Sequence, residues 1–210
     1  MNDVLLISSG LINPPLKARL LLRKFLKEIR YIDLHYAGEL NEKTAGLLAA
    51  YDAVILYHGK KEVKLTEKAE KALKKYVKRG GGLMTLHSAT ASYASSEAFF
   101  SITGGRFIES SGVQNFRMKP RTDASKMFSD FPVFKIRDEI YIHDFKEKVK
   151  IQMTADINGK EVPVVWTRKR GEGRVCCINL GHLPGTFELF EIRRLISAGL
   201  SYILKPKKKK

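Results

Sequence analysis

The sequence predicts an α/β fold, a doubly wound and mainly parallel sheet, and three observations predict it. Short apolar runs at Val4 to Ile7, Ala53 to Tyr57 and Leu83 to Leu86 are separated by stretches with helical periodicity. Each run stops at small or polar residues: Ser8-Ser9-Gly10, His58-Gly59 and His87-Ser88-Ala89. Strands that alternate with helices need crossover connections, and right-handed crossovers lay such strands parallel in one sheet.

Taken in order, Val4 to Ile7 is apolar throughout, as a strand buried on both faces requires. After Pro14 and Pro15 the stretch LKARLLLRKFLKEIR reads as a helix with Leu16, Leu20, Phe25 and Ile29 inward, and Tyr31 to His35 as the next strand. Ala45 to Ala50 is a short helical piece before the central strand at Ala53 to Tyr57. Thr66 caps a helix over Glu67 to Arg79 with Ala69, Leu73, Tyr76 and Val77 as its inner stripe, and Gly80-Gly81-Gly82 stops it. Leu83 to Leu86 is the following strand.

Beyond Gly104-Gly105 the pattern becomes alternating and Phe-rich, notably at Phe116 to Lys119 and Phe134 to Tyr141, which predicts added strands. Val162 to Thr167 and Val175 to Leu180, joined by Arg170-Gly171-Glu172-Gly173, read as a hairpin, so the sheet is expected to be mixed. A last helix over Phe187 to Leu204 presents Phe190, Leu195, Ile196 and Leu200.

Composition bounds the function. A chain of 210 residues, 44% hydrophobic, fills one domain, expected over residues 1–204 with a disordered basic tail at 205–210. No apolar run reaches the about 18 residues a membrane span needs, and Met1 to Gly10 lacks a secretory leader's pattern, so a cytoplasmic protein is expected. The two cysteines, Cys176 and Cys177, are adjacent in a strand-like run and read as structural, with no basic setting to activate them. The formal charge of +16 lies largely in the terminal KPKKKK and on lysine-rich helix faces, a solvated pattern, so nucleic acid is not the expected partner.

In an open α/β sheet the ligand crevice lies beyond the carboxyl ends of the strands. Ser9, His58, His87, Ser88 and His182 all follow predicted strands, and three of the five histidines fall there. His87 occupies the strand–turn–helix position of a nucleophile elbow, without the G-x-S-x-G spacing. A triad could be drawn from Ser88 or Ser9 with His182 and Glu139, and three converging imidazoles, His58, His87 and His182, could hold zinc with one open position. In Asp138-Glu139-Ile140-Tyr141-Ile142-His143 the strand period puts Glu139, Tyr141 and His143 on one face and Asp138, Ile140 and Ile142 on the other. The first set suits hydroxyl-rich ligands. Trp166 either stacks on a sugar ring or fills the core.

Three segments carry a resemblance. GGGLMTLHSA (Gly80 to Ala89), DEIY (Asp138 to Tyr141) and PVVWTRKRGEGRVCCINLGH (Pro163 to His182) resemble the ThuA-like, or trehalose utilisation, family in the same order and at similar separations. The resemblance implies a three-layer flavodoxin-like fold of the class I glutamine amidotransferase-like type, and a link to the metabolism of trehalose and related disaccharides. Amidotransferases of that fold carry a cysteine at the elbow, where His87 stands here, so glutamine hydrolysis is not implied. The sequence departs from the usual pattern at Ser8-Ser9-Gly10, where many relatives have a histidine, and at Leu183, where many have an acid.

The leading expectation is a protein that binds or processes a small carbohydrate or derivative at the strand-end crevice. His87, His182 and Glu139 are its candidate catalytic residues, and Ser9, His58, Ser88, Tyr141, His143 and Trp166 its candidate ligand-binding residues. No cofactor is expected, a divalent metal such as zinc being the alternative, and a homo-oligomer is compatible with the sequence. The other reading is a non-enzymatic module that binds acidic partners or nucleic acid through its basic surface and tail.

Overall fold

In a computed structural model, which describes residues 1–9, 15–59 and 63–204, the described strands form one nine-stranded sheet. They are β1 (Asn2–Ile7), β2 (Ile32–Ala37), β3 (Ala53–Leu56), β4 (Gly82–Leu86), β5 (Arg106–Pro120), β6 (Phe134–Asp144), β7 (Lys150–Ile157), β8 (Lys160–Arg170) and β9 (Gly173–Ile178). Their order is β2-β1-β3-β4-β9-β8-β7-β5-β6. From β2 to β9 the neighbours are parallel, and from β9 to β6 antiparallel.

The parallel strands are apolar throughout because helices cover both faces. One face takes α1 (Leu16–Lys27), the short α6 (Lys126–Ser129) and α7 (Phe190–Ile203), where Leu22, Leu26, Leu195 and Leu200 pack against Val4, Leu6, Ile55 and Met84. The other takes α2 (Glu42–Leu47), α3 (Glu67–Lys78) and α5 (Glu97–Thr103), whose Ala45, Leu73, Val77 and Phe99 meet Leu5, Ile7, Val54 and Leu83. Each such leucine contributes about 1.5–3 kcal/mol by leaving water. Helix α3 forms with the inner stripe its period predicts, and the Thr66 side chain accepts from Ala69 N at 3.3 Å at its start.

Two stripes differ from expectation. In α1 the buried residues are Ala18, Leu22, Phe25 and Leu26, while Leu16 and Leu20 are about half exposed. The Leu20-Leu21-Leu22 run offers more than one helical phase, and contact with the sheet selects the one through Leu22 and Leu26. Phe190, at the first turn of α7, is 73% exposed, whereas Leu195, Ile196 and Leu200 are buried as expected.

The β8–β9 hairpin turns at Gly171, whose φ of +59° a side chain rarely adopts. Strand β5 meets β7 only from Met118 to Pro120, and the rest of it pairs with β6. Pairing of β5 with β6 shifts register twice, between Phe107 and Glu109 and between Ser110 and Val113. Such bulges bend and twist a hairpin. The bent β5–β6 hairpin reaches back over the carboxyl ends of β4 and β9, as contacts from Asp138, Glu139 and Tyr141 to those ends show. No described helix is long and apolar enough to cross a membrane. The tail expected at 205–210 and Gly10 lie outside the described residues.

Candidate functional site

Strand β4 ends at Leu86 and helix α4 (Ala89–Ser92) begins three residues later, so the chain must turn sharply between them. His87 makes the turn with φ at +36°, and its N–H donates to Ile178 O at 2.9 Å. A non-glycine residue held there costs on the order of 1–3 kcal/mol. The elbow aims the His87 ring, 1% exposed, into the space above β4 and β9.

From the neighbouring strand β9 the chain passes through Asn179, whose side chain accepts from Tyr141 N at 3.1 Å and donates to Tyr141 O at 2.5 Å. Asn179 thereby clamps β6 to the end of β9. The fully buried Asp138 then holds the next turn. Its carboxylate accepts from Gly181 N at 2.8 Å, Leu183 N at 3.1 Å, Thr186 Oγ1 at 3.0 Å and Glu139 N at 2.9 Å. Gly181, at φ +122°, adopts a backbone conformation only glycine takes readily, and Tyr57 donates to its carbonyl at 2.5 Å. His182 is therefore fixed on both sides.

Glu139, the neighbour of Asp138 on β6, points the opposite way and lands between the two imidazoles. Its Oε2 lies 2.8 Å from His182 Nδ1 and 3.3 Å from His87 Nε2. Neither approach has the alignment of a hydrogen bond, and no other described group bonds the His87 ring nitrogens. Ser110, brought over Glu139 by the β5 bulge, donates its hydroxyl to Oε1. The Tyr141 ring lies 4.3 Å from that of His87, and the His87 and His182 rings meet at 5.3 Å. Glu139 side-chain exposure is 13% and that of His182 is 28%, so the centre opens to solvent on the His182 side.

Burial acts to raise the Glu139 pKa, but contact with His182, His87 and Ser110 outweighs it and holds the carboxyl well below its usual range. His182 moves the other way: the Glu139 carboxylate raises its pKa against the effect of burial. The result is an ionised carboxylate beside an imidazole that favours its proton. This combination can bind hydroxyls, exchange a proton with a bound oxygen, or ligate a cation.

Residues 4–203 of the chain match the ThuA family, described as trehalose utilisation. The chain belongs to the ThuA family. Its fold is that of a ThuA-like protein from Bacteroides uniformis, at 17% identity and TM-score 0.80 over 99% of this chain and 93% of that one. A cytoplasmic protein of Salmonella typhimurium LT2 shares the fold at 16% identity and TM-score 0.71, over 97% and 100% of the two chains. A β-galactosidase from Bacillus circulans matches at 13% identity and TM-score 0.63 over 95% of this chain and 30% of the enzyme. No curated protein matches by sequence.

In this ThuA chain the remaining sequence-predicted residues separate into groups. Ser9 and His58 pair with each other, Oγ to Nε2 at 2.8 Å, at the ends of β1 and β3. His58 is thus not the third imidazole of a metal set, and the place expected for it beside His87 and His182 is taken by Glu139. The serine triad is not assembled either. Ser9 Oγ serves His58, and the buried Ser88 Oγ has no hydrogen-bond partner among the described residues. His143 shares the face of Glu139 and Tyr141 but lies beyond the centre, with Nδ1 3.0 Å from Tyr141 O and Nε2 3.0 Å from Thr90 Oγ1. Trp166 is a core residue: it is 0% exposed and its indole N–H donates to Thr103 O at 2.9 Å.

Three functional residues escaped the sequence reading. Asp138 carried a signal, since a lone acid on the apolar face of a strand must find donors when buried. Ser110 and Asn179 carried none, because their roles depend on where the β5–β6 hairpin folds.

Proposed function

We propose that the protein binds and processes a hydroxyl-rich, carbohydrate-derived small molecule in the cytoplasm, at the His87–Glu139–His182 centre. The observation that carries the reading is the largely buried, ionised Glu139 carboxylate, set between two imidazoles at the ends of adjacent parallel strands. Sugars need acceptors and donors close together, and Glu139, His182 and Ser110 offer them within one space. The family description, trehalose utilisation, points to the same ligand class. In the reaction, protonated His182 donates its proton to a ligand oxygen as negative charge develops on it and regains one from water, while Glu139 stays ionised, stabilises the imidazolium and orients a neighbouring hydroxyl by accepting its hydrogen bond.

The test is a thermal-shift panel of mono- and disaccharides and their keto derivatives on wild type and His182→Ala, followed by product analysis for any sugar that binds. A ligand at about 100 times its Kd adds about 2.7 kcal/mol, a shift of roughly 5–10 °C for a chain of this size. A shift lost in His182→Ala is the expected result. Flat curves across the panel, or a shift that survives in the variant, refute the reading.

A further inference from the structure

We propose that His87 Nε2, His182 Nδ1 and Glu139 together bind one divalent first-row transition-metal ion, with zinc the best match to the donor set. The proposal rests on the functional reading above for its location and deepens it by naming the electrophile.

The three ligand atoms lie within 4.8 Å of one another. Metal bonds of about 2.0–2.1 Å at tetrahedral angles set neighbouring ligand atoms about 3.3–3.4 Å apart. The His87–Glu139 separation is 3.3 Å, and the His182–Glu139 separation of 2.8 Å needs only a small opening. The decisive group is His87. Its ring is 99% buried by its 1% relative exposure, and neither nitrogen has a hydrogen-bond partner among the described residues. A buried imidazole that makes no hydrogen bond, with only the Glu139 carboxylate 3.3 Å from Nε2, recovers little of its lost hydration, and an ion at Nε2 removes that cost. Two imidazole nitrogens with one carboxylate are borderline donors that suit zinc and its neighbours better than magnesium or calcium.

The surroundings have the features of a metal site's outer shell. Ser110 holds the other oxygen of Glu139, and Asp138 grips the backbone on both sides of His182. The described residues supply three ligands, which leaves further positions on the more exposed His182 side open for water or for oxygens of a sugar. An ion here replaces the His182 proton as the positive partner of Glu139 and acts on the same ligand oxygen as a Lewis acid. The other cluster of potential ligands among the described residues, Asp3, Asp33 and His35, has side chains 42–58% exposed and reads as a solvated ion-pair group.

The experiment strips the full chain with EDTA, reloads it with Zn²⁺ or Co²⁺, and measures bound metal by mass spectrometry, affinity by calorimetry and the visible absorption of Co²⁺. One equivalent per chain is expected, with binding weakened in His87→Ala, His182→Ala and Glu139→Gln by more than the roughly 10–100-fold typical of outer-shell changes. His35→Ala is expected to bind as wild type does. X-ray absorption of the zinc-loaded wild type, which needs no variant to fold, is expected to show two imidazoles in the first shell. Wild type retaining far less than one equivalent, equal affinity in the three variants, or a first shell without imidazole overturns the proposal. Running the sugar panel with loaded and stripped protein separates the two ideas. Metal bound without any sugar shift sinks the carbohydrate reading alone, and sugar bound by a chain that takes no metal sinks the metal site alone.

Discussion

His182 Nδ1 stands 2.8 Å from Glu139 Oε2, although His182 follows the last parallel strand and Glu139 lies within an antiparallel strand at the far edge of the sheet. The contact exists because the β5–β6 hairpin bends back over the strand ends, and because Asp138, one residue before Glu139, holds the backbone around His182. Adjacent residues of β6 thus divide the work: Asp138 fixes the turn and Glu139 meets the imidazole it carries.

The Asp138 carboxylate accepts from four donors in the interior, so Asp138→Ala strands buried N–H and O–H groups. A loss of about 3–5 kcal/mol in urea unfolding is expected, against about 1–3 for Asp138→Asn, which keeps one acceptor oxygen. Equal, small effects of the two changes would contradict the role assigned to Asp138.

Gly181→Ala tests the same turn by steric means. A Cβ there meets Phe187 Cζ at 2.7 Å, and the φ of +122° is strained for alanine. Destabilisation of about 2–4 kcal/mol and displacement of His182 are expected. Wild-type melting temperature in Gly181→Ala would refute it.

The parallel half of the fold was legible because its strands and α3 follow simple periods, down to Ala69, Leu73, Tyr76 and Val77. So was the elbow at His87, since strand, turn and helix are adjacent in sequence. The phase of α1 was ambiguous: a triple leucine satisfies two faces, and only the sheet decides that Leu20 stays in water. Strand alternation separated Glu139, Tyr141 and His143 from Asp138, but gave no measure of how far along the strand each neighbour would sit. His143 therefore falls on Thr90 rather than in the centre, and His58 falls on Ser9. Pairings between distant segments, such as Ser110 with Glu139, depend on a bend that no local pattern encodes.

Burial lowers the His143 pKa from 6.5 to about 4, against the opposing effect of the Tyr141 carbonyl. The folded state therefore resists protonation while the unfolded chain accepts it, and stability falls as pH drops from about 6.5 towards 4. The contribution is up to about 3 kcal/mol. Unfolding curves for wild type and His143→Gln across that window should diverge, with the variant losing less; parallel curves would show that His143 titrates normally.

Cys176 and Cys177 are buried, and burial raises both thiols, Cys177 to about 12. A thiolate-specific reagent at neutral pH should modify neither in the native protein and both after denaturation. Reaction of the native chain would mean that β9 opens readily.

The most direct test of the account is the titration of the His182 imidazole by NMR in metal-free protein, for wild type and Glu139→Gln. If His182 and Glu139 form one centre, the wild-type midpoint lies above 6.5 and falls back when the carboxylate is neutralised. A midpoint unchanged by Glu139→Gln would show that the two side chains do not meet, and the proposed site would fall with that contact.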